Sequence, residues 1–181
     1  MSDGLNHLGR EFLTWLWYAA ESNADVVDVD GVGFVRVLFA QRMLLTSLGP
    51  AQENSSIASD SPALTDEARA ALKTGKKVAK ATLLLDLDER HFEVTVDAAT
   101  FALSGVKLPT VISDHEEERL AERLSLLDEL ESVLDGLYLQ FARLRLDEPA
   151  WYQTRVAMHA WVTSDYDPSA AEDASMTQKA T

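Results

Sequence analysis

The sequence contains no cysteine. This absence excludes thiolate zinc sites, cysteine nucleophiles and disulfide frameworks. It is compatible with a reducing compartment, and we expect a cytoplasmic protein. At 181 residues the chain is long enough to bury a core without a metal or a disulfide, so we expect one domain that needs no cofactor to fold.

Long hydrophobic runs are also missing. The longest apolar run, near residues 13–20, is far shorter than the ~20 residues that span a bilayer. The opening segment MSDGLNHLGREF has neither the basic start, the apolar core nor the small-residue cleavage site of a signal peptide. These features predict a protein without a membrane partner.

Basic residues are scarce: 16 lysines and arginines stand against 30 acidic residues, for a net charge of -14. Taken alone, this balance argues against a general DNA or membrane binder. The charges are unevenly distributed, however, because residues 61–112 carry as many bases as acids and no acid occurs from Ala68 to Leu85. We call residues 68–85 the basic segment, and its bases are Arg69, Lys73, Lys76, Lys77 and Lys80.

Hydrophobic periodicity predicts two helices in the first half of the chain. Apolar residues at three- and four-residue steps indicate an amphipathic helix over residues 3–22. A short helix is predicted over residues 64–74, with Thr65 as its N-cap and Gly75 as its C-terminal stop.

A long helix is predicted over residues 114–146. Ser113 and Glu116 have the spacing of a capping box, in which a serine caps the helix and a glutamate three residues on reaches back. An apolar stripe follows at helical spacing. Its members are Leu120, Leu124, Leu127, Leu130, Leu134, Leu137, Phe141 and Leu144. A final helix is expected over residues 150–162.

Segments rich in β-branched and aromatic residues predict strands. Residues 33–39 and 42–48 are interpreted as one antiparallel pair joined by a tight turn at residues 40–41. The polar segment 49–63 is interpreted as a loop with a short strand near Ile57.

A second antiparallel pair is predicted over residues 77–87 and 91–96. In the second strand Phe92, Val94 and Val96 alternate with polar residues, which is typical of a strand with one buried face. A further short strand is expected within residues 101–108.

Together these elements predict the α+β class. The predicted architecture is two antiparallel β-pairs with an N-terminal amphipathic helix, a short central helix, a long C-terminal helix and a final helix. We expect one domain over residues 1–163, followed by a disordered acidic tail over residues 164–181.

Catalytic motifs are weak. The four histidines lack metal-type spacing, so no metal site is predicted. Asp28 with Asp30, and Asp86 with Asp88, could serve two-metal phosphoryl chemistry, but both pairs adjoin predicted turns, where aspartate is common for backbone reasons. The Gly-Lys pair at Gly75 lacks the glycine and hydroxyl spacing of a phosphate-binding loop. We therefore predict a protein that is not an enzyme.

Two sets of residues are candidates for binding. Trp15, Trp17 and Tyr18 could stack on exposed bases, but aromatic residues beside leucines at helical spacing more often form a core or a protein interface, and we predict a partner interface. The other set, predicted to contact DNA, comprises Lys73, Lys76, Lys77, Lys80 and, nearby, Lys107.

The lysines also have simpler explanations. In an extended strand Lys76 and Lys80 share a face while Lys77 points the other way. A lysine such as Lys73 suits the C-terminal end of a helix dipole. Lysines on an edge strand protect it from aggregation.

The order of segments resembles the C-terminal half of the recombination-associated RdgC family. The resemblance rests on a short helix followed by Gly75, Lys76, Val78 and Lys80 at the start of a strand. A second strand, a segment that carries Lys107, and a long acidic leucine-rich helix follow in the same order.

Upstream, the string GREFLTWLW from Gly9 is similar to the family segment that precedes this half, so the resemblance covers roughly residues 9–145. It implies a non-enzymatic, largely sequence-independent DNA binder that forms ring-shaped dimers around duplex DNA and restrains the RecA recombinase. By position, Lys76, Lys80 and Lys107 match basic positions of the family.

Three hypotheses follow. The first is an RdgC-like, homodimeric, nucleoid-associated protein that contacts the DNA backbone and modulates recombination. The alternative is an acidic protein-interaction module or subunit without DNA binding of its own, in which the long helix or the aromatic first helix docks a partner. A distant third is a phosphoryl-transfer enzyme that uses Asp86 and Asp88.

Overall fold

A computed structural model describes residues 2–47 and 53–164 of the chain. Residues 165–181 of the predicted tail, and residues 48–52 of the predicted loop, lie outside the described residues. Within them the fold is α+β, as predicted, with helices packed on an antiparallel sheet. The helices are α1 (Ser2–Ser22), α2 (Asp66–Lys73), α3 (Glu116–Leu146) and α4 (Glu148–Thr163), with a 3₁₀ turn at Pro62–Leu64.

Among the described residues the predicted β-pairs belong to one six-stranded sheet. Its strands are β1 (Val26–Val29), β2 (Gly33–Thr46), β3 (Asn54–Ala58), β4 (Lys77–Leu87), β5 (Arg90–Asp97) and β6 (Leu103–Lys107). Their order is β1-β2-β4-β5-β6, with β3 paired to β2 beside β1. The predicted pair over residues 77–87 and 91–96 is confirmed as β4 and β5, and β3 and β6 confirm the two short strands.

The tight turn predicted at residues 40–41 is wrong. Residues 33–46 form one strand of 14 residues, β2, and its pairing with β4 passes from Ala40↔Thr82 directly to Met43↔Ala81. Gln41 has a φ of 54° in this bulge. Two extra residues therefore bend the strand without reversing it, because a bulge disrupts only a local part of the ladder. The reversal lies earlier, between β1 and β2.

The short helix α2 forms as predicted. The Thr65 side chain accepts a hydrogen bond from the Ala68 backbone N–H at 3.2 Å, which satisfies one of the free donors at the helix start. Gly75 follows the helix with a φ of 84°, a left-handed conformation that glycine adopts without steric cost. Local sequence alone determines both ends of α2.

The long helix α3 runs without a break for 31 residues, but its predicted capping box is wrong. His115 occupies the N-cap position and makes no side-chain capping hydrogen bond. The backbone N–H groups of Ile112 and Ser113 instead donate to the carboxylate of Glu122, at 3.1 and 3.2 Å. The segment before α3 thus folds back along the helix and leaves Ser113 outside its first turn.

Only the second half of the predicted α3 stripe is buried. Leu130, Leu137 and Phe141 belong to the core, whereas Leu120, Leu124 and Leu127 are 60%, 53% and 41% exposed. Helical spacing predicts which residues share a face, but it does not predict how far the neighbouring elements extend beneath that face.

The core lies on one face of the sheet, beneath α1, α3 and α4. Trp15 and Trp17 are 5% and 1% exposed, so their predicted exposure to a partner is wrong. Trp15 packs against Phe141 of α3, and Trp17 packs edge-on against Trp161 of α4. The helices of the chain itself cover this wide aromatic face of α1. Tyr18, half-buried, also lies against Trp161.

Candidate nucleic-acid interface

The bases of the basic segment do not form one patch. Arg69, the first of them, is buried: its guanidinium pairs with Glu21 and lies 4.5 Å from the ring centre of Trp161. Arg69 therefore links α2 to α1 and α4 in the interior. Lys73, at the C-terminal end of α2, is exposed.

The prediction that Lys76 and Lys80 share a face is wrong. Leu44 pairs with Lys80 and Leu45 with Val78, so Ala79 forms a bulge in β4. Val78 and Ala81 are both buried although they are three residues apart. The bulge reverses the alternation of faces, so Lys76 lies on the opposite side of the strand from Lys80. The Lys76 Nζ donates to Ser55 Oγ at 3.0 Å.

Lys80 and Lys107 lie on the sheet face opposite the helices but far apart. Lys80 pairs with Asp97 across β4 and β5, and Lys107 pairs with Glu93 across β5 and β6. Two strand spacings and four residues separate their positions, which is roughly 16 Å. Lys107 Nζ is 2.8 Å from Glu93 Oε1, whereas Lys80 has no ion pair within the described part of the chain.

Lys77, one of the lysines predicted to contact DNA, lies close to other basic side chains. Its Nζ lies 3.2 Å from Glu11 Oε1 on α1. The Nε of Arg145, in the last turn of α3, donates to the other oxygen of Glu11 at 3.1 Å. His7 Nε2 lies 3.4 Å from Glu11 Oε1. A single carboxylate thus brings together a lysine, an arginine and a histidine from three elements of the fold.

Glu11 remains ionised in this arrangement. Burial raises the pKa of its carboxyl, but the charge of Lys77 and the hydrogen bonds from Arg145 and Lys77 outweigh burial, so the net effect lowers the pKa. One negative charge faces two permanent cations and a histidine. The cluster therefore keeps an excess of positive charge at neutral pH.

A pocket of about 440 Å³ opens beside this cluster. Glu11 and Lys77 line one side, and Arg155 and His159 of α4 line the other. Tyr152, 67% exposed, also borders the pocket. We call this set, with Arg145, the cationic pocket. Lysine and arginine bind phosphate, and an exposed aromatic ring can stack on an unpaired base.

The sequence interpretation missed Arg145, Arg155 and Tyr152. Arg155 is the only lysine or arginine in α4, and Arg145 follows Arg143 in the last turn of α3, so the sequence did carry a basic signal at both places. The missing information was tertiary, because no local pattern indicates that the last turn of α3 and one side of α4 lie near Lys77.

The carboxylate pairs considered for catalysis are engaged elsewhere. Asp86 Oδ1 lies 2.8 Å from His91 Nδ1, and Asp30 Oδ2 accepts from Arg143 at 2.7 Å. Asp88 sits in the turn between β4 and β5 with a φ of 53°. In the parts of the chain that the structure describes, no three acidic or histidine side chains are placed to hold a metal ion.

The comparisons with known proteins add no assignment. No known protein family and no curated protein matches the chain. No helix among the described residues combines the length and apolar character needed to cross a membrane.

Proposed function

We propose that the chain is a non-enzymatic, sequence-independent DNA-associated protein of the RdgC type, which contacts phosphates through the cationic pocket. The observation that carries this proposal is the contact of Lys77 and Arg145 with one half-buried carboxylate, beside a pocket that Arg155 also lines, in a chain of net charge -14. The resemblance to RdgC adds a homodimeric assembly and a cytoplasmic, nucleoid-associated location to the proposal.

Local charge supports the proposal despite the acidic total. The first turn of α3 carries Glu116, Glu117 and Glu118, at the end of the helix opposite Arg145. The length of α3 separates these acids from the cationic pocket by about 40 Å at 1.5 Å per residue, well beyond the Debye length at physiological salt. Phosphate contacts depend on the nearby cations, since salt screens charges at such distances.

The test compares two double variants with the same loss of charge. Lys77→Ala/Arg155→Ala removes two cations of the pocket, and Lys80→Ala/Lys107→Ala removes two lysines that lie elsewhere. Binding of labelled random duplex and single-stranded DNA is measured by fluorescence anisotropy at several salt concentrations. We expect the first variant to flatten the slope of log affinity against log salt by about two units, for every sequence alike.

The second variant should keep the wild-type slope, and thermal unfolding of both variants checks that they fold. A flatter slope for Lys80→Ala/Lys107→Ala with no change for Lys77→Ala/Arg155→Ala would move the interface to the other sheet face. If the wild-type protein binds neither DNA at low salt, the proposal is wrong and the acidic interaction-module hypothesis replaces it.

A further inference from the structure

Strand β6 is an edge of the sheet, and no other described segment pairs with its outer side. It pairs with β5 on one side, and all five of its residues, Leu103–Lys107, are exposed. Gly105 has a φ of 61° at a bulge in this pairing, so Val106 and Leu103 both turn toward the helix side of the sheet. An exposed edge with free N–H and C=O groups is a template for a further strand.

An apolar groove of about 560 Å³ lies between this edge and α3. Leu103 and Val106 form the β6 wall, and Leu127 and Leu134 form the α3 wall. Exposed apolar surface that is continuous with an open edge marks an interaction site more often than isolated apolar residues do. We call this feature the β6 groove.

The charged residues that line the β6 groove are both acidic. Glu131 and Asp135, one helical turn apart on α3, flank Leu134 on the groove wall and are exposed. Two carboxylates beside an apolar groove favour a partner with positive charge and disfavour an acidic one such as another α3 helix.

We propose that the β6 groove binds an extended basic segment of another protein, which adds a strand to β6. In a strand, residues two apart point to the same face. A large apolar side chain of the segment enters the groove, and lysines or arginines two positions before and after it pair with Glu131 and Asp135. Backbone hydrogen bonds to β6 give affinity, while the groove and the acids select the sequence. This inference is independent of DNA binding.

The test uses a labelled synthetic peptide, Thr-Lys-Thr-Leu-Thr-Lys-Thr, and a control peptide in which glutamate replaces both lysines. Binding to the full chain is measured by fluorescence anisotropy at low salt. We expect the lysine peptide to bind at least about tenfold more tightly than the glutamate peptide, because the acids attract one and repel the other. Glu131→Lys/Asp135→Lys should reverse this preference.

Two matched controls separate the groove from general effects. Glu116→Lys/Glu117→Lys changes the net charge equally on the same helix, away from the groove, and should keep the wild-type preference. Leu127→Asn, which removes apolar surface without adding charge, should weaken binding of the lysine peptide about tenfold or more, whereas Leu139→Asn, at another exposed site of α3, should not.

Equal binding of both peptides to the wild-type chain, or unchanged binding of the lysine peptide to Leu127→Asn, would overturn the proposal. Sedimentation equilibrium supplies a further outcome. If the wild-type chain is a dimer that Leu127→Asn dissociates, a second copy covers the groove and the proposed basic partner is wrong.

Discussion

At the scale of single residues, Glu11 shows how one half-buried carboxylate can bring together cations that are distant in sequence. It contacts His7 on its own helix, Lys77 on β4 and Arg145 at the end of α3. These contacts stabilise the fold only while the Glu11 carboxylate is ionised, because its neutral form attracts the cations weakly.

Replacement of Glu11 by glutamine tests this dependence on pH. The pKa of Glu11 is lowered on folding from its ordinary value of 4.5, so its ionisation stabilises the fold above that value. The stability is lost as pH falls through the lower pKa of the folded state. We expect Glu11→Gln to lower the free energy of unfolding at pH 7 and to approach the wild type at acidic pH, as measured by urea denaturation from pH 7 to pH 2.5.

Glu117→Gln, at an exposed position of α3, is the matched control and should change little at any pH. A difference between Glu11→Gln and the wild type that stays constant with pH would mean that packing, rather than charge, is responsible.

At the scale of elements, the packing of a helix can require a residue that helix propensity disfavours. Gly136 lies inside α3, where glycine costs up to about 1 kcal/mol relative to alanine. A Cβ at this position would lie 2.4 Å from Cγ1 of Val29, a buried residue of β1. The glycine allows α3 to approach the sheet closely.

Alanine at position 136 should therefore destabilise the protein although it improves helix propensity. We expect Gly136→Ala to lower the free energy of unfolding by about 1–3 kcal/mol, the usual cost of overpacking a core. Urea denaturation measures this value.

The double variant Gly136→Ala/Val29→Ala separates the clash from other effects. Since Val29→Ala removes the methyl groups that the new Cβ meets, Gly136→Ala should cost less in the Val29→Ala background than in the wild type. Equal costs in both backgrounds would rule out this contact as the reason for the glycine.

At the scale of the whole molecule, one hydrophobic core joins the sheet to α1, α3 and α4. Charge is unevenly distributed, with three glutamates in the first turn of α3 and the cationic pocket beside its last turn. A net charge of -14 therefore describes the sum of the chain and not the potential at any one surface.

Truncation after Ser164 tests whether the stability of the folded domain depends on residues 165–181. Residues 165–181 contain Tyr166 and Met176 among small and polar side chains, a composition that predicts a small contribution to stability. We expect the truncated chain to keep nearly the same melting temperature, as measured by circular dichroism. A melting temperature lower by several degrees would mean that the tail packs on the folded domain.

The sequence by itself determined the α+β class, the ends of α2, the β4–β5 pair and the continuous helix α3. These features depend on short-range physics, since period, capping residues and turn residues act within a few positions. The burial of Phe92, Val94 and Val96 follows directly from their alternation.

Only the tertiary structure decided the continuity of β2, the face of Lys80, the burial of Trp15 and Trp17, and the partners of Lys77. A bulge such as that at Ala79 reverses every later side chain, and it leaves little trace in composition. Burial and charge pairing depend on which elements meet, and the residues around Glu11 come from both ends and the middle of the chain. Charges adjacent in sequence were therefore separated, and distant ones were brought together.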